Sequence, residues 1–172
     1  MDSDFLLIQR MKTGDERAID EFVHKYYPII LRYCSLHIRD CGYAEDITQE
    51  TFERFFRTLD GYRHYGKAAN YMYVIAANAC KDFYGKKDEI LMEKLPQTSA
   101  DETGNLDAYM YVLMALNSLP PEIKETAVLF FCQEIKQKEI AKILGIGLPL
   151  VKYRIKRARE LLSEYLGEEE MQ

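Results

Sequence analysis

Apolar residues recur every three or four positions along most of the chain, and no run rich in Val, Ile and Thr alternates with polar residues. Spacing of this kind places apolar side chains on one face of an α-helix, whereas strands need a period of two. The pattern therefore predicts an all-α protein. In the N-terminal part it predicts four helices, at residues 4–12, 16–38, 43–58 and 67–86.

The C-terminal part begins at Tyr109 and contains the signals of a helix-turn-helix. One helix is predicted to start at Pro120–Pro121, because proline suits the first turn of a helix. A second helix, "QKEIAKILG", ends at Gly145, and the last helix covers Leu148 to about Leu166. Two helices joined by a short turn that contains glycine are typical of this motif.

Residues 88–108 separate the two parts and carry six acidic side chains and one basic side chain. The segment contains proline, glycine and several small polar residues, with little helical periodicity. Such a composition is typical of a linker. We therefore expect two small helical domains, residues 1–87 and 109–172, joined by a flexible acidic linker. The alternative is a solvated loop inside a single domain.

The last predicted helix has an apolar face and a strongly basic surface. Val151, Ile155, Ala158 and Leu162 share one face at helical spacing. Long cationic side chains suit the phosphates and base edges of duplex DNA in the major groove. The candidate DNA-binding residues on this surface are Lys152, Tyr153, Arg154, Lys156 and Arg157. The alternative is a solvated basic face on a helix that only packs against its neighbours.

Residues 60–87 interleave tyrosines with cations. Rings that stack on unpaired bases, together with cations that follow the backbone, suit single-stranded nucleic acid. A glycine-flanked loop carries Tyr62, Arg63, His64, Tyr65 and Lys67, and the helix that follows carries Tyr71, Asn78 and Lys81. The alternative is that several tyrosines belong to the core, since helical spacing is shared by Tyr73, Ala76, Ala77, Cys80 and Tyr84. The loop tyrosines are harder to bury.

The helix predicted at residues 43–58 divides into an apolar face and a polar face. The apolar face contains Ala44, Ile47, Thr51, Phe55 and Leu59. The polar face contains Asp46, Gln49, Glu50, Glu53 and Arg57. A mostly acidic face repels DNA and is able to dock a basic partner, although such faces are more often simply solvated.

The distribution of charge explains how a chain with formal net charge −5 contains basic features. Residues 1–53 carry 11 acidic and 6 basic side chains, whereas residues 54–87 carry 2 acidic and 7 basic ones. From residue 109 onward the two signs balance at nine each. The field at each surface therefore differs from that of the whole chain.

Several classes of function find no support in the sequence. No run of 18 apolar residues exists, and "MDSDFLLIQR" lacks the basic start of a secretory signal, so we expect no membrane insertion, a cytoplasmic location and free cysteines. Cys34, His37 and Cys41 have ligand-like spacing but no evident fourth ligand, so we expect core cysteines and no metal. No phosphate-binding loop or activated nucleophile appears, so we expect no cofactor and no catalysis.

The order of the features resembles the extracytoplasmic-function (ECF) group of bacterial RNA polymerase sigma factors. An acidic "AEDITQETFERFF" helix precedes an aromatic "NYMYVIAANACKDF" helix and an acidic linker, and "LPPEIKETAVLFF" and "EIAKILGIGLPLVKYRIKRAREL" follow. The resemblance covers about residues 15–87 and 109–166. It implies a subunit that binds core RNA polymerase and directs transcription initiation at specific promoters, without catalysis of its own.

The resemblance also implies roles for individual residues. Docking on the largest polymerase subunit would involve Asp46, Gln49, Glu50 and Glu53. Binding of the melted −10 strand would involve Tyr62, Arg63, His64, Tyr65, Lys67, Asn70, Tyr71, Asn78 and Lys81. Reading of the duplex −35 element would involve Lys152, Tyr153, Arg154, Lys156 and Arg157. An anti-sigma factor is a further candidate partner.

This chain departs from the family pattern at several of these positions. Tyr71 stands where the family often has Trp, and Val74 and Ala77 stand where it often has Arg. The recognition helix lacks the usual hydroxyl side chains at its start and has Tyr153 in place of a usual Ser. We therefore expect weaker contacts with the melted strand and an unusual −35 target sequence.

Two other classes of protein compete with this interpretation. A helix-turn-helix transcription regulator with a helical sensing domain would bind duplex DNA without polymerase, usually as a dimer on a palindrome. A helical adaptor would not bind DNA at all, which the density of cations at residues 152–159 argues against. Segment 43–87 discriminates between the classes, because a stand-alone regulator does not need it.

Overall fold

The computed structural model describes residues 3–64, 66–90 and 105–169, with side chains described for 3–64, 66–85 and 108–167. All regular secondary structure in these ranges is helical, which confirms the all-α prediction. The described residues form two compact units, one up to residue 90 and one from residue 105. No helix in these ranges is both long enough and apolar enough to cross a bilayer.

The N-terminal unit contains four α-helices, all of which the sequence predicts to within a few residues. They are α1 (Ser3–Lys12), α2 (Glu16–His37), α3 (Cys41–Thr58) and α4 (Ala68–Ile90), with a 3-10 turn at Leu59–Gly61 between α3 and α4. The largest difference is at the end of α4, which extends beyond the predicted limit of residue 86.

Aspartate side chains fix where α2 and α3 begin. The Asp15 carboxylate accepts hydrogen bonds from the N–H groups of Arg17 and Ala18 at 3.0 and 3.3 Å. Asp40 caps α3 by accepting from the N–H of Tyr43 at 3.1 Å, so this helix starts two residues before its predicted limit. Caps of this kind satisfy N–H groups that have no partner inside the helix.

The core of the N-terminal unit is largely aromatic. Phe22 of α2 stacks on Phe55 of α3 with 4.8 Å between ring centroids, and Tyr33 of α2 packs on Tyr73 of α4 at 5.4 Å. All four side chains are buried, and burial raises the pKa of Tyr73 above its ordinary value. Aromatic rings dominate core energetics because each buries a large apolar area. These contacts fix α3 and α4 against α2.

The C-terminal unit contains α5 (Asn105–Asn117), α6 (Pro121–Ala127), α7 (Gln137–Leu144) and α8 (Leu148–Glu169). The helix predicted at the double proline is confirmed, since α6 starts at Pro121. Helix α5 begins inside the segment predicted as linker. Residues 91–104, which make up most of that segment, lie outside the described residues, so the linker and the exact domain limits stay predictions.

Helices α6 and α7 pack on α8 around a small apolar core. A π-helical turn at Val128–Cys132 follows α6, and the N–H of Gln133 donates to the carbonyl of Val128 at 3.1 Å. Sequence periodicity did not predict this turn. The guanidinium of Arg159 lies over the rings of Phe130 and Phe131, 5.7 and 5.6 Å from their centroids. The turn therefore places both rings against one cation of α8.

Candidate polymerase-docking and DNA-binding surfaces

The polar face of α3 carries the four residues predicted to dock on polymerase. Asp46, Gln49, Glu50 and Glu53 follow one another at i, i+3, i+4 and i+7, which places them on one side of the helix. Asp46, Gln49 and Glu53 are exposed, and Glu50 is half-buried. We call these four residues the acidic face.

Glu50 differs from the other members of the acidic face because it has a strong partner. Its Oε1 accepts from Arg54 Nη2 at 2.6 Å, and the same nitrogen donates to Asp82 of α4 at 3.0 Å. The hydrogen bonds with Asp82 and Glu50 raise the pKa of the Arg54 guanidinium above its ordinary value. Glu50 is therefore also part of a bridge between α3 and α4, which helical spacing within α3 does not reveal.

A cluster of aromatic rings lies where the chain connects α3 to α4. Tyr62 stacks on Tyr71 with 4.9 Å between centroids, and the two rings lie 5.5 and 6.0 Å from Phe55. The Tyr71 hydroxyl lies 3.3 Å from Oγ1 of Thr58. Tyr62 is less buried than the core residue Tyr73, in line with the expectation for a loop tyrosine. The ring is half-buried because it packs edge-on against Phe55, which belongs to the core.

The polar residues of the same connection differ in their contacts and in their exposure. The Tyr62 hydroxyl lies 3.2 Å from Nδ1 of His64, so these two predicted DNA-binding side chains are held as a pair. Arg63 and Lys67 are exposed. Tyr65 lies outside the described residues, so its predicted role is not tested by the structure.

The start and middle of α4 carry the other residues predicted to bind the melted strand. Tyr71, Asn78 and Lys81 share one side of the helix at helical spacing, and the last two are exposed. Asn70 is half-buried, and its side-chain oxygen is buried without a hydrogen-bond donor among the described residues. Ala77, where the family often has Arg, is buried. Most of the residues predicted to bind the melted strand therefore lie near the N-terminal end of α4 or on the side of α4 that carries Tyr71, Asn78 and Lys81.

The helix-turn-helix prediction is confirmed in the C-terminal unit. Helix α7 ends at Gly145, whose φ of 64° is the left-handed conformation that glycine adopts most easily. The N–H of Gly145 and that of Ile146 both donate to the carbonyl of Ala141. The carbonyl of Gly147 then accepts from Leu150 and Val151, which starts α8. The turn therefore matches the glycine pattern in the sequence.

Helix α8 buries one face and exposes the predicted DNA-binding face. Val151, Ile155 and Ala158 are buried. Lys152, Tyr153 and Lys156 are exposed, whereas Arg154 and Arg157 are half-buried. Arg157 donates to Glu160 at 3.1 Å, so one predicted reader of base edges is paired with a carboxylate of its own helix.

Two further lysines lie beside this surface, outside the helix on which the predicted −35 residues lie. Lys136 precedes α7 and Lys138 lies in its first turn, and both line a shallow cavity of about 560 Å³ together with Lys152. Three lysines, at the start of α8 and before and within the first turn of α7, thus line one concavity together with the single carboxylate of Glu139. This surplus of cations suits a phosphate backbone. Their signal in the sequence is the repeated lysine of "IKQKEIAK", in the segment predicted as the first helix of the motif.

The cysteine and histidine residues weighed as metal ligands are not grouped in the structure. Cys34 is buried and Cys41 is exposed. No group of three or more His, Cys, Asp or Glu side chains within the described residues could hold a metal ion.

Both units match known families. The Sigma-70 region 2 model matches residues 22–90, and the Sigma-70 region 4 model matches residues 109–162. The ECF RNA polymerase sigma factor SigE of Mycolicibacterium smegmatis is 32% identical over 168 residues, covering 90% of this chain and 65% of that protein. SigW of Bacillus subtilis, another ECF sigma factor, is 28% identical over 176 residues, covering 92% of this chain and 94% of that protein.

Solved structures share the fold. The structure of CnrH in complex with the cytosolic domain of CnrY has a TM-score of 0.81 at 22% identity, covering 97% of this chain and 99% of that one. The sigma factor RpoE in complex with the anti-sigma factor NepR from Bartonella quintana has a TM-score of 0.71 at 20% identity, covering 87% of this chain and 96% of that one.

Two helical units with a region 2 match and a region 4 match define a sigma-70 type sigma factor, a transcription initiation factor and not an enzyme. The chain belongs to the ECF group of this family. It therefore directs promoter-specific transcription. The region 2 match over residues 22–90 also accounts for the segment that a stand-alone regulator does not need.

Proposed function

We propose that this sigma factor binds polymerase, the −10 strand and the −35 duplex through three separate surfaces. The acidic face of α3 docks on core RNA polymerase, the connection before α4 and the exposed side of α4 bind the melted −10 strand, and α8 reads the −35 duplex. The observation that carries the proposal is the separation of charge. Carboxylates are concentrated on α3, whereas the exposed cations of α8 lie in the other compact unit.

The acidic face suits a protein partner because three of its four members are exposed and the opposite side of their helix is packed in the core. Thr48 and Thr51 on the opposite side of α3 are buried, and each donates its hydroxyl proton to a carbonyl one turn earlier. A charged surface held on such a scaffold steers encounter with a partner of opposite charge. The Asp46 carboxylate makes no hydrogen bond or ion pair within the described residues, so it is available for that partner.

The cluster formed by Tyr62 and Tyr71 suits unpaired bases. Both rings are half-buried and held by Phe55, while cations border them at Arg63 and Lys67. Stacking on an aromatic side chain contributes about 1–3 kcal/mol per base. Preset rings add affinity because fewer side chains become ordered on binding.

The exposed face of α8 suits the major groove. Lys152 and Lys156 lie one turn apart, and Tyr153 is 61% exposed beside them. We assign phosphate contacts to Lys152, with Lys136 and Lys138 of the neighbouring cavity, and base-edge contacts to Arg157. The planar fork of Arg is able to bind guanine with two hydrogen bonds.

Location and partners follow from this activity. A subunit of bacterial RNA polymerase works on promoter DNA in the cytoplasm, and we place this chain there. The solved relatives CnrH and RpoE are bound to CnrY and to the anti-sigma factor NepR, so an anti-sigma factor is a candidate partner of this chain as well.

The docking assignment is tested by reversing one charge of the acidic face. We expect Asp46→Lys to weaken binding to core polymerase by about tenfold or more, which corresponds to about 1.4 kcal/mol. The measurement is fluorescence anisotropy of labelled protein titrated with core enzyme. Glu50 is unsuited to this test, because its reversal would also break the bridge through Arg54 to Asp82.

The matched control is Asp20→Lys, an exposed aspartate of α2 with the same change of charge. It should bind core polymerase with unchanged affinity, and both variants should melt at the wild-type temperature. Equal affinities of Asp46→Lys and wild type would exclude the acidic face as the docking surface.

A further inference from the structure

Helix α1 lies outside the residues matched by the region 2 family model, yet it contacts the connection before α4. Lys12 is in its last turn. The Lys12 ammonium donates to the backbone carbonyl of Tyr62 at 2.6 Å and lies 3.4 Å from that of Asp60. A single side chain of α1 thus holds the backbone where the connection leaves the 3-10 turn.

The other end of α1 holds the other end of the connection. Asp4 is buried, and its Oδ2 accepts from the hydroxyl of Tyr26 at 2.5 Å and from the N–H of Ala68 at 3.4 Å. Ala68 is the first residue of α4. The Oδ1 of Asp4 accepts from Lys25 at 2.5 Å. The carboxylate is therefore held by Lys25 and Tyr26 of α2 while it accepts from the N–H of the first residue of α4.

A third contact lies between these two. The ring of Phe5 is 6.4 Å from the ring of His64, in the middle of the connection. Helix α1 therefore contacts the start, the middle and the end of the connection, whose described residues are 60–64 and 66–68. We call these described residues the −10 loop, because the proposed function assigns the melted strand to this connection.

We infer that Lys12 and Asp4 are positioning residues for recognition of the −10 element. They act on the backbone of the −10 loop and need not touch DNA. Both are bonded to main-chain atoms, so they set the path of the loop whatever side chains it carries. A loop fixed before binding loses less conformational freedom when the strand arrives. This inference rests on the proposed function.

The test replaces Lys12 by Met, which keeps most of the side chain but removes the donors to both carbonyls. Holoenzyme reconstituted with each variant is assayed on a promoter library randomised across the −10 element. We expect Lys12→Met to flatten the −10 sequence preference and to lower open-complex formation about tenfold, with the −35 preference unchanged. Lys12→Arg, which retains donors, should restore most of the preference.

Arg10→Met is the matched control. Arg10 is a cation of the same helix that donates to Asp15 and Glu21 and makes no hydrogen bond or ion pair to the described residues of the −10 loop. Its loss removes two ion pairs and should leave the −10 preference intact. A merely structural role for α1 predicts the same result for Arg10→Met and Lys12→Met, and that result would overturn the inference.

Hydrogen exchange of the free protein gives a direct readout of the loop. Lys12→Met should speed exchange of the amides of residues 62–64, 66 and 67 at least severalfold, whereas the amides of α3 should exchange as in wild type. Unchanged exchange in the loop would overturn the inference.

Arg63→Ala and Tyr62→Ala separate the failure of this inference from the failure of the proposed function. If both variants leave the −10 preference unchanged, the loop does not read the element, and the proposal and the inference both fail. If either variant alters the preference while Lys12→Met does not, only the positioning role is excluded.

Discussion

The two proposed DNA-binding surfaces are built in different ways. In the N-terminal unit, Tyr62 and Tyr71 stack on each other and both contact the core residue Phe55, and the Tyr62 hydroxyl is paired with His64. In the C-terminal unit, Tyr153 projects from α8 and is 61% exposed. The first surface is continuous with its hydrophobic core, whereas the second lies on the outside of a helix whose opposite face forms the core.

The difference follows from the two forms of DNA. A major groove accepts a whole helix, so long side chains on its outer face reach base edges from a scaffold that packs elsewhere. Unpaired bases have no fixed geometry, so the protein has to supply flat rings in set positions. Binding and folding should therefore share residues at the −10 surface and use separate residues at the −35 surface.

The largest expected difference is between two tyrosine truncations. Tyr71→Ala removes a half-buried ring that contacts Tyr62, Phe55 and Thr58, and should lower the free energy of unfolding by about 2 kcal/mol. Tyr153→Ala removes an exposed ring and should change it by less than about 0.5 kcal/mol. Urea unfolding followed by circular dichroism measures both. Equal losses in the free energy of unfolding would mean that both surfaces contribute to stability to the same extent.

The C-terminal surface was largely predictable from the sequence, and the reason is physical. Its residues follow from helical spacing within one segment, with a glycine turn before it. Val151 and Ile155 fall on the buried face as predicted, and Lys152 and Lys156 on the exposed face. Spacing within α8 does not include the lysines before and at the start of α7, and it allows the i, i+3 pair of Arg157 and Glu160 without requiring it.

The N-terminal surface was less predictable because its contacts join distant parts of the chain. Tyr62 is held by a ring of α3, and Glu50 is tied to α4 through Arg54 and Asp82. The four helices were predictable from periodicity, since each buries one stripe. The packing of the connection between α3 and α4 depends on which side chains meet in space, and no pattern within that segment specifies it.

A second difference is that the N-terminal surface rests on a buried carboxylate, that of Asp4, which accepts a hydrogen bond from the first residue of α4. Burial raises the pKa of Asp4, but hydrogen bonds from Lys25 and Tyr26 lower it, and the balance lies below the ordinary value of 3.8. A carboxyl with a lowered pKa stabilises the folded state at pH values above 3.8, and this stabilisation is lost as the pH falls through its folded-state pKa.

We therefore expect Asp4→Asn to lower the free energy of unfolding by about 1 kcal/mol at pH 7. The difference from wild type should shrink as the pH is lowered below 3.8. Urea unfolding of the two proteins across a pH series measures it. Asp20→Asn, at an exposed position of α2, is the control and should show little difference at any pH. A gap between Asp4→Asn and wild type that is constant with pH would contradict the role of the charge.

The smallest expected effect concerns the pair formed by Arg157 and Glu160 on α8. The two side chains are 40% and 45% exposed, and exposed pairs of this kind contribute about 0.2–1 kcal/mol. If Arg157 binds DNA as proposed, the pair competes with DNA for its guanidinium. Glu160→Gln should therefore release Arg157 and strengthen holoenzyme binding to a −35 duplex by about two- to fivefold, which corresponds to about 0.4–1 kcal/mol.

Net charge alone would also favour DNA binding, so Glu164→Gln, an exposed glutamate one turn further along α8, is the matched control. Titrations of the duplex at several salt concentrations separate the two causes, because a general charge effect weakens with salt. If Arg157 binds a base edge, the gain from Glu160→Gln should exceed that from Glu164→Gln and should disappear in the double variant with Arg157→Ala. If the gains are equal, Arg157 stays paired along its own helix, and the exposed lysines Lys152 and Lys156 carry the contact with the duplex.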